Sequence, residues 1–158
     1  MIHAEHLTKA FDGFVALDNL DTTIAEGSIY GLVGSNGSGK STLLRLISGV
    51  YYPNGGWVRI DDQDVYENPE LKNRIFFLSD DLYFLSKATV DELAEFYSRV
   101  YTNFSWEKYA EYKRLFPIDT KKRINTFSKG MKRQAAIMLA LSCCLRPPAI
   151  PRASASSP

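Results

Sequence analysis

The sequence predicts an α/β fold: a strand-rich base, then a helical insertion after Leu78. Three observations carry that expectation. In the first third of the 158 residues, short apolar or β-branched segments are separated by Asp12-Gly13 and Glu26-Gly27. A glycine-rich stretch, Gly34 to Thr42, stands where the hydrophobic period changes from that of a strand to that of a helix. Beyond Leu78, apolar residues recur at helical spacing behind Thr and Ser caps.

In chain order, His3 to Leu7, Asn19 to Ile24 and Ser28 to Val33 read as strands. Leu43, Leu44 and Ile47 mark a short amphipathic helix that ends near Gly49. Pro53-Asn54-Gly55-Gly56 is a turn, and Trp57 to Ile60 alternates as a half-buried strand should. The continuous apolar run Ile75 to Leu78 predicts a buried central strand. Thr89 and Glu92 fit a capping box ahead of a stripe formed by Leu93, Phe96, Tyr97 and Val100. Ser105 caps a second helix carrying Trp106, Tyr109, Tyr112 and Phe116, which Pro117 ends. Ser128 caps a third, from about Lys129 to Leu145, and the Pro/Ser/Ala-rich residues 149–158 are expected to be a disordered tail.

Composition narrows the functional classes. With 45% hydrophobic, 23% charged and 13% aromatic residues, the chain can bury a core without disulfides or metals, and it is too short for two ordinary domains. Its longest uncharged apolar run, Ala135 to Leu145, is far shorter than the roughly 18–20 residues that cross a bilayer. Cys143 and Cys144 are neighbours on a helix that point different ways, and they read as reduced thiols inside a cell. The net charge of +1 conceals an acidic stretch from Asp61 to Glu92 and a basic one from Lys108 to Arg133. These read first as solvated faces. The basic stretch lacks the interleaved aromatics of a single-strand-binding surface, so nucleic acid is not a favoured partner.

The chemistry is concentrated in Gly34-Ser35-Asn36-Gly37-Ser38-Gly39-Lys40-Ser41-Thr42, which fits G-x-x-x-x-G-K-[ST] at every fixed position between an apolar segment and a helix. Glycines at these places let the backbone turn its N–H groups inward toward phosphate oxygens, at the positive end of a helix. Lys40 supplies a mobile point charge for the β- and γ-phosphates, and the Ser41 hydroxyl is a Mg²⁺ ligand. GTP-binding proteins and small-molecule kinases share such a loop, so it specifies a nucleotide and not a reaction.

Around this loop the sequence resembles the ATP-binding subunits of ABC transporters, from Met1 to about Pro148. Leu7 to Leu17 is similar to the family's opening segment, in which an aromatic residue stacks on adenine. Phe11 takes that position, with Phe14 as the alternative; without the resemblance, Phe11 would read as a core residue. Phe127-Ser128-Lys129-Gly130-Met131-Lys132-Arg133-Gln134 resembles the family's signature motif in an LSKGM variant. There the resemblance implies that Ser128 and Gly130, with the charge of Lys129, contact the γ-phosphate of ATP held by a second subunit. A capping Ser and exposed N–H groups before a helix supply a physical reason. The implied architecture is a P-loop NTPase core with an N-terminal antiparallel β region and a helical subdomain at about 82–146, together a partial nucleotide-binding domain over 1–148, incomplete at its C-terminus. The implied cofactors are ATP and Mg²⁺. The implied partners are a transmembrane permease subunit and a second ATP-binding subunit, identical or different, with the protein peripheral at the cytoplasmic face of the cell membrane.

The sequence departs from the family pattern in two places. After Ile75 to Leu78 the family has a Gln that touches Mg²⁺; here Ser79 and Asp80 stand near that position, and Asp80 is either a replacement Mg²⁺ ligand or an ordinary turn residue. After the signature helix the family continues into an apolar strand ending Asp-Glu, which organises Mg²⁺ and polarises water, and later a switch His. Here Leu145-Arg146-Pro147-Pro148-Ala149-Ile150 leads into Pro151-Arg152-Ala153-Ser154, and both histidines, His3 and His6, lie in the first strand. The expectation is a truncated or frameshifted chain. A non-hydrolysing nucleotide-binding partner and a soluble, non-transport ABC protein are the alternatives. No catalytic acid is identified, so this 158-residue chain is expected to hydrolyse ATP weakly or not at all. Turnover at rates ordinary for the family, abolished by Lys40→Ala, would overturn that expectation.

Overall fold

The computed structural model describes residues 1–79, 84–85 and 87–143. They form two compact units, one spanning Met1–Glu67 and the other beginning at Asn68. Each has its own apolar core.

The first unit is built on a hairpin. Strands β1 (Ile2–Phe11) and β2 (Phe14–Ile24) run antiparallel, joined by Asp12 and Gly13 alone. Both turn residues have positive φ, 43° and 84°, the mirror-image turn whose twist matches that of the strands. Strand β3 (Gly55–Ile60) pairs with the other edge of β1, and β4 (Gln63–Asp64) completes the order β2-β1-β3-β4. Helix α1 (Lys40–Ile47) buries Leu43 and Leu46 against Ala4, Leu7 and Val58 of the sheet. Between Glu5 and Thr8 the register of β1 slips, with His6 at a φ of 49°. Gly56 (φ 66°) lies so close to this bulge that a Cβ would fall on the carbonyl oxygens of Glu5 and His6. His3 and His6 are strand residues, as expected, and His3 packs edge-on against Trp57 at 4.9 Å.

The second unit is helical: α2 (Pro69–Lys72), α3 (Val90–Val100), α4 (Trp106–Leu115) and α5 (Lys129–Cys143), with a single 3-10 turn at Ile124–Thr126. The expected caps form. Thr89 Oγ1 accepts from the Glu92 N–H at 3.2 Å, and the Glu92 carboxylate accepts from the Thr89 N–H at 2.7 Å. Ser105 Oγ accepts from the Lys108 N–H at 3.2 Å. The core joins Val90, Leu93 and Ala94 of α3 to Tyr109, Ile124 and Phe127, and to Ala135, Met138 and Leu139 of α5. Cys143 is buried at the end of α5; Cys144 lies outside the described residues.

Several expectations change. Residues 28–33 and 75–78 form no strand. An all-apolar strand needs neighbours on both edges and cover on both faces. Among the described residues no strand pairs with either segment. In the first, Leu32 packs on the core of its unit while Ile29 and Val33 are 82% and 98% exposed. In the second, Phe76 stacks on Tyr101 at 5.3 Å and leans on Tyr97 at 5.4 Å. The α3 stripe is rotated from the expected one: Val90, Leu93 and Ala94 are buried, whereas Phe96 and Val100 are exposed. Trp106 of α4 is likewise exposed, and only Tyr109 of that helix is buried. Large side chains at helical spacing mark a face, but small neighbours such as Ala94 decide where helices approach.

One polar cluster ties the second unit together. The Asp91 carboxylate accepts from Tyr109 Oη at 2.8 Å, Lys113 Nζ at 2.9 Å and Thr120 Oγ1 at 3.1 Å. Partial burial pulls the Asp91 pKa upward, but hydrogen bonds from Lys113, Tyr109 and Thr120 outweigh it and hold the carboxyl below its ordinary 3.8. Burial and the same carboxylate raise the Tyr109 phenol. Because the folded carboxyl binds its proton less tightly than an unfolded Asp, its contribution is complete at neutral pH and is lost as pH falls through the folded pKa. Asp91→Asn is expected to lower stability by about 1–2 kcal/mol in urea unfolding at neutral pH. The difference from wild type should shrink as the solution is acidified below the ordinary carboxyl range; a difference independent of pH would refute the ionic part of this account.

Candidate functional site

The loop Gly34 to Thr42 is formed by backbone geometry more than by side chains. Gly37 and Gly39 have φ of 84° and 82°, a region that L side chains rarely adopt. Gly39 is the cap residue of α1, without a side-chain cap bond, and its carbonyl accepts from the Leu43 N–H at 2.8 Å. A Cβ on Gly39 would stand 2.5 Å from the Ala16 carbonyl oxygen and 2.7 Å from Leu17 Cδ2, so the loop rests directly on β2. Lys40 Nζ donates to the Gly34 carbonyl at 2.8 Å, to the Ser35 carbonyl at 2.6 Å and to Ser38 Oγ at 3.3 Å. The first-turn N–H groups of α1 have no carbonyl of their own helix to bond. Ser41 is exposed and Thr42 partly so. Backbone donors, a cation and a hydroxyl thus come together at a helix N-terminus, a set suited to a polyanion with a divalent cation. Beside the loop is a cavity of about 210 Å³ lined by Leu17, Leu20, Tyr30, Leu32 and Lys40 among others.

Phe11 ends β1, opposite Phe14 across the turn. The Phe11 ring is 38% exposed and meets Tyr51 edge-on at 5.3 Å; Phe14 is 63% exposed. Ala16 and Leu17, the residues under Gly39, lie two and three positions from Phe14 on the same strand, about 7–10 Å at a strand's rise per residue. The hairpin therefore presents its aromatic tip a short way from the loop it supports. Sequence reasoning missed Tyr51, which belongs to no motif, and the part that Lys9 of the opening segment plays at this tip, because their contacts span forty residues of chain or more.

In the second unit Ser128, Lys129 and Gly130 are exposed at the start of α5. Ser128 Oγ accepts from the Met131 N–H at 3.2 Å, and its carbonyl accepts from the Lys132 N–H at 2.9 Å, so Ser128 caps the helix as expected. Buried Phe127 anchors the segment from the other side. Asp80 lies outside the described residues, and among the described residues no group of three or more His, Cys, Asp or Glu side chains is placed to hold a metal ion. No helix of the described residues is long and apolar enough to cross a membrane.

The family profile described as ABC transporter matches residues 17–146. The chain belongs to the ABC transporter family. The ABC transporter ATP-binding protein YtrB of Bacillus subtilis is 33% identical over 142 residues, covering 90% of this chain and 49% of its own. The chain therefore spans about half the length of that curated relative. Among solved structures, an ATP-binding subunit of an ABC transporter superposes with a TM-score of 0.81 at 22% identity, over 90% of this chain and 62% of its own. The ATP-binding cassette MJ0796, in a dimeric post-hydrolysis state bound to ADP and Pi, gives a TM-score of 0.72 at 23% identity, over 90% and 70%. At these identities the structures establish the fold: the ABC cassette, with its antiparallel β region and its helices.

The two left-handed glycines of the loop separate strain from crowding. Gly37 has nothing within 4 Å of a built Cβ, whereas Gly39 meets the β2 backbone. Gly37→Ala is expected to cost about 1 kcal/mol of stability from φ alone, and Gly39→Ala about 2–4 kcal/mol with partial unseating of α1. Thermal unfolding of both variants checks this; equal losses would mean that the Gly39 contact contributes nothing.

Proposed function

We propose that this chain binds ATP and Mg²⁺ at Gly34 to Thr42, as part of a protein that hydrolyses ATP to drive an ABC transporter through a separate transmembrane subunit. The observation that carries the proposal is the loop seated on β2 with Lys40 Nζ at its centre, in a chain of the ABC transporter family. The donor set fits the ligand. Backbone N–H groups and Lys40 oppose the charge of a triphosphate, and the exposed Ser41 hydroxyl is a hard oxygen ligand of the kind Mg²⁺ takes. Phe11 offers an aromatic face to the base.

Phosphoryl transfer to water depends on positioning and charge neutralisation more than on covalent catalysis. In this reading Lys40 and the α1 N-terminus hold the phosphates of one nucleotide. Ser128, Lys129 and Gly130 face the γ-phosphate of a nucleotide carried by a second ATP-binding subunit. The exposure of Ser128 to Gly130 leaves the start of α5 accessible to such a ligand. MJ0796, of the same fold, is described as a dimer. A permease subunit would place the protein at the cytoplasmic face of the membrane.

Titration calorimetry with MgATP tests the binding step. Lys40→Ala should raise Kd at least about tenfold, the loss expected for charge-assisted bonds to phosphate, with an unchanged circular dichroism spectrum. Undiminished MgATP binding by a folded Lys40→Ala variant would refute the proposed site.

A further inference from the structure

A cluster at the hairpin tip has no part in holding phosphate. Residues 51–54, which follow α1, are tied to the last turn of the helix and to the end of β1. The Tyr51 N–H donates to the Arg45 carbonyl at 3.1 Å, alongside the Val50 N–H at 2.8 Å. Lys9 Nζ donates to the Tyr52 carbonyl at 2.9 Å, Asn54 Oδ1 accepts from the Ala10 N–H at 2.9 Å, and the Asn54 N–H donates to the Thr8 carbonyl at 2.8 Å. Three consecutive residues of β1, immediately before Phe11, are thus held by one short segment.

The side chains continue the same connection. The Phe11 ring meets the edge of Tyr51 at 5.3 Å. Lys9 Nζ lies 5.1 Å from the centroid of Phe11 and 5.9 Å from that of Tyr51, and the Arg45 guanidinium lies 5.8 Å from Tyr51. Tyr51 itself is half-buried against the core of the first unit. An aromatic ring on the last residue before a two-residue turn would otherwise exchange among rotamers, since strand ends and hairpin tips are the least stable parts of a sheet.

We infer that Tyr51, held by the 51–54 segment and Lys9, is a positioning residue that fixes the Phe11 ring and thereby sets the affinity of this site for the base of its nucleotide. The inference rests on the reading of Gly34 to Thr42 as the phosphate site. Its physical basis is preorganisation: a ring already immobilised by Tyr51 loses little rotamer entropy when a base stacks on it. The geometry adds a second effect. Tyr51 follows the C-terminal end of α1 and Lys40 begins that helix, so one rigid element about 12 Å long references both the aromatic platform and the phosphate loop.

The test is calorimetric binding of MgATP and of magnesium tripolyphosphate, which has no base, to wild type and to Phe11→Ala, Tyr51→Ala, Tyr51→Phe and the Phe11→Ala/Tyr51→Ala double variant. Tyr51→Ala should weaken MgATP about 3- to 10-fold, a part of what a full base–aromatic stack contributes, and leave tripolyphosphate unchanged. Tyr51→Phe should bind as wild type, because the edge contact needs no hydroxyl. The double variant should be no weaker for MgATP than Phe11→Ala alone, as expected for a residue that acts through another. Unchanged MgATP binding by Tyr51→Ala would overturn the inference. So would equal weakening for both ligands, which marks a general core role, or effects of the two substitutions that simply add. Lys40→Ala separates the two levels: loss of both ligands upholds the phosphate site whatever Tyr51 does, and retention of both would remove the site and this inference together.

Discussion

The first unit depends on the absence of a side chain at Gly39. That residue lies on the β2 backbone at Ala16 and Leu17, and it begins a helix whose Leu43 and Leu46 reach Ala4, Leu7 and Val58 on the sheet. A β-carbon there would lift the helix start away from the strand, and the apolar contacts one turn later would be lost with it. The close approach and the burial of α1 are therefore one constraint, met at two places. The chemistry of the loop follows from it. Donors at a helix N-terminus are useful only when the helix cannot move, and this one is fixed by backbone contact at its first residue and by leucines along its length.

The second unit is organised around polar fixtures. Thr89, Ser105 and Ser128 each hold the start of a helix with a hydroxyl bond to a backbone N–H. Asp91, the second residue of α3, draws together α4 and the segment at Thr120 through three side-chain bonds. Such a carboxylate is worth more for arrangement than for net stability, because its desolvation offsets much of what the bonds return. Its effect is to fix how α3 and α4 meet, and with them the buried Phe127 and Ile124 that precede the exposed Ser128. The orientation of the segment at Ser128 to Gly130 is thus inherited from a core and not set by its own residues.

Elements that carry their own punctuation were legible in the sequence: the Asp12-Gly13 hairpin, the capping box at Thr89, the Ser105 and Ser128 caps, and the glycine loop with its following helix. Each is a local device whose residues lie within a few positions of one another. The strands expected at 28–33 and 75–78 were not of that kind. Apolar runs disclose that a segment favours burial but not which strand lies beside it, and pairing between distant strands leaves no local mark. The same limit hid Tyr51 and Lys9 from the site: the contact between residues 9–11 and 51–54 is made by the register of β1 with β3. Phe11 could be named only through resemblance, and what holds it could not be named at all.

Lys40 shows how the loop is held together. An ammonium has three protons to donate, and here Nζ has three acceptors within reach: the carbonyls of Gly34 and Ser35 and the hydroxyl of Ser38. These bonds draw the ends of the loop together and balance carbonyl dipoles that would otherwise converge without a partner. In the proposed site, a phosphate approaching the α1 N-terminus would meet a cradle already closed around a positive charge, the conformational cost of forming it having been met during folding. The affinity that results is a difference: what charge-assisted bonds to phosphate give beyond the carbonyl bonds Lys40 must loosen. Neutral carbonyls are weaker acceptors than phosphate oxygens, so the exchange favours the anion. They are still strong enough to keep the lysine aimed inward until the anion arrives. A loop whose lysine projected into solvent would have to order both the side chain and the backbone on binding, and would bind more weakly for the same final contacts.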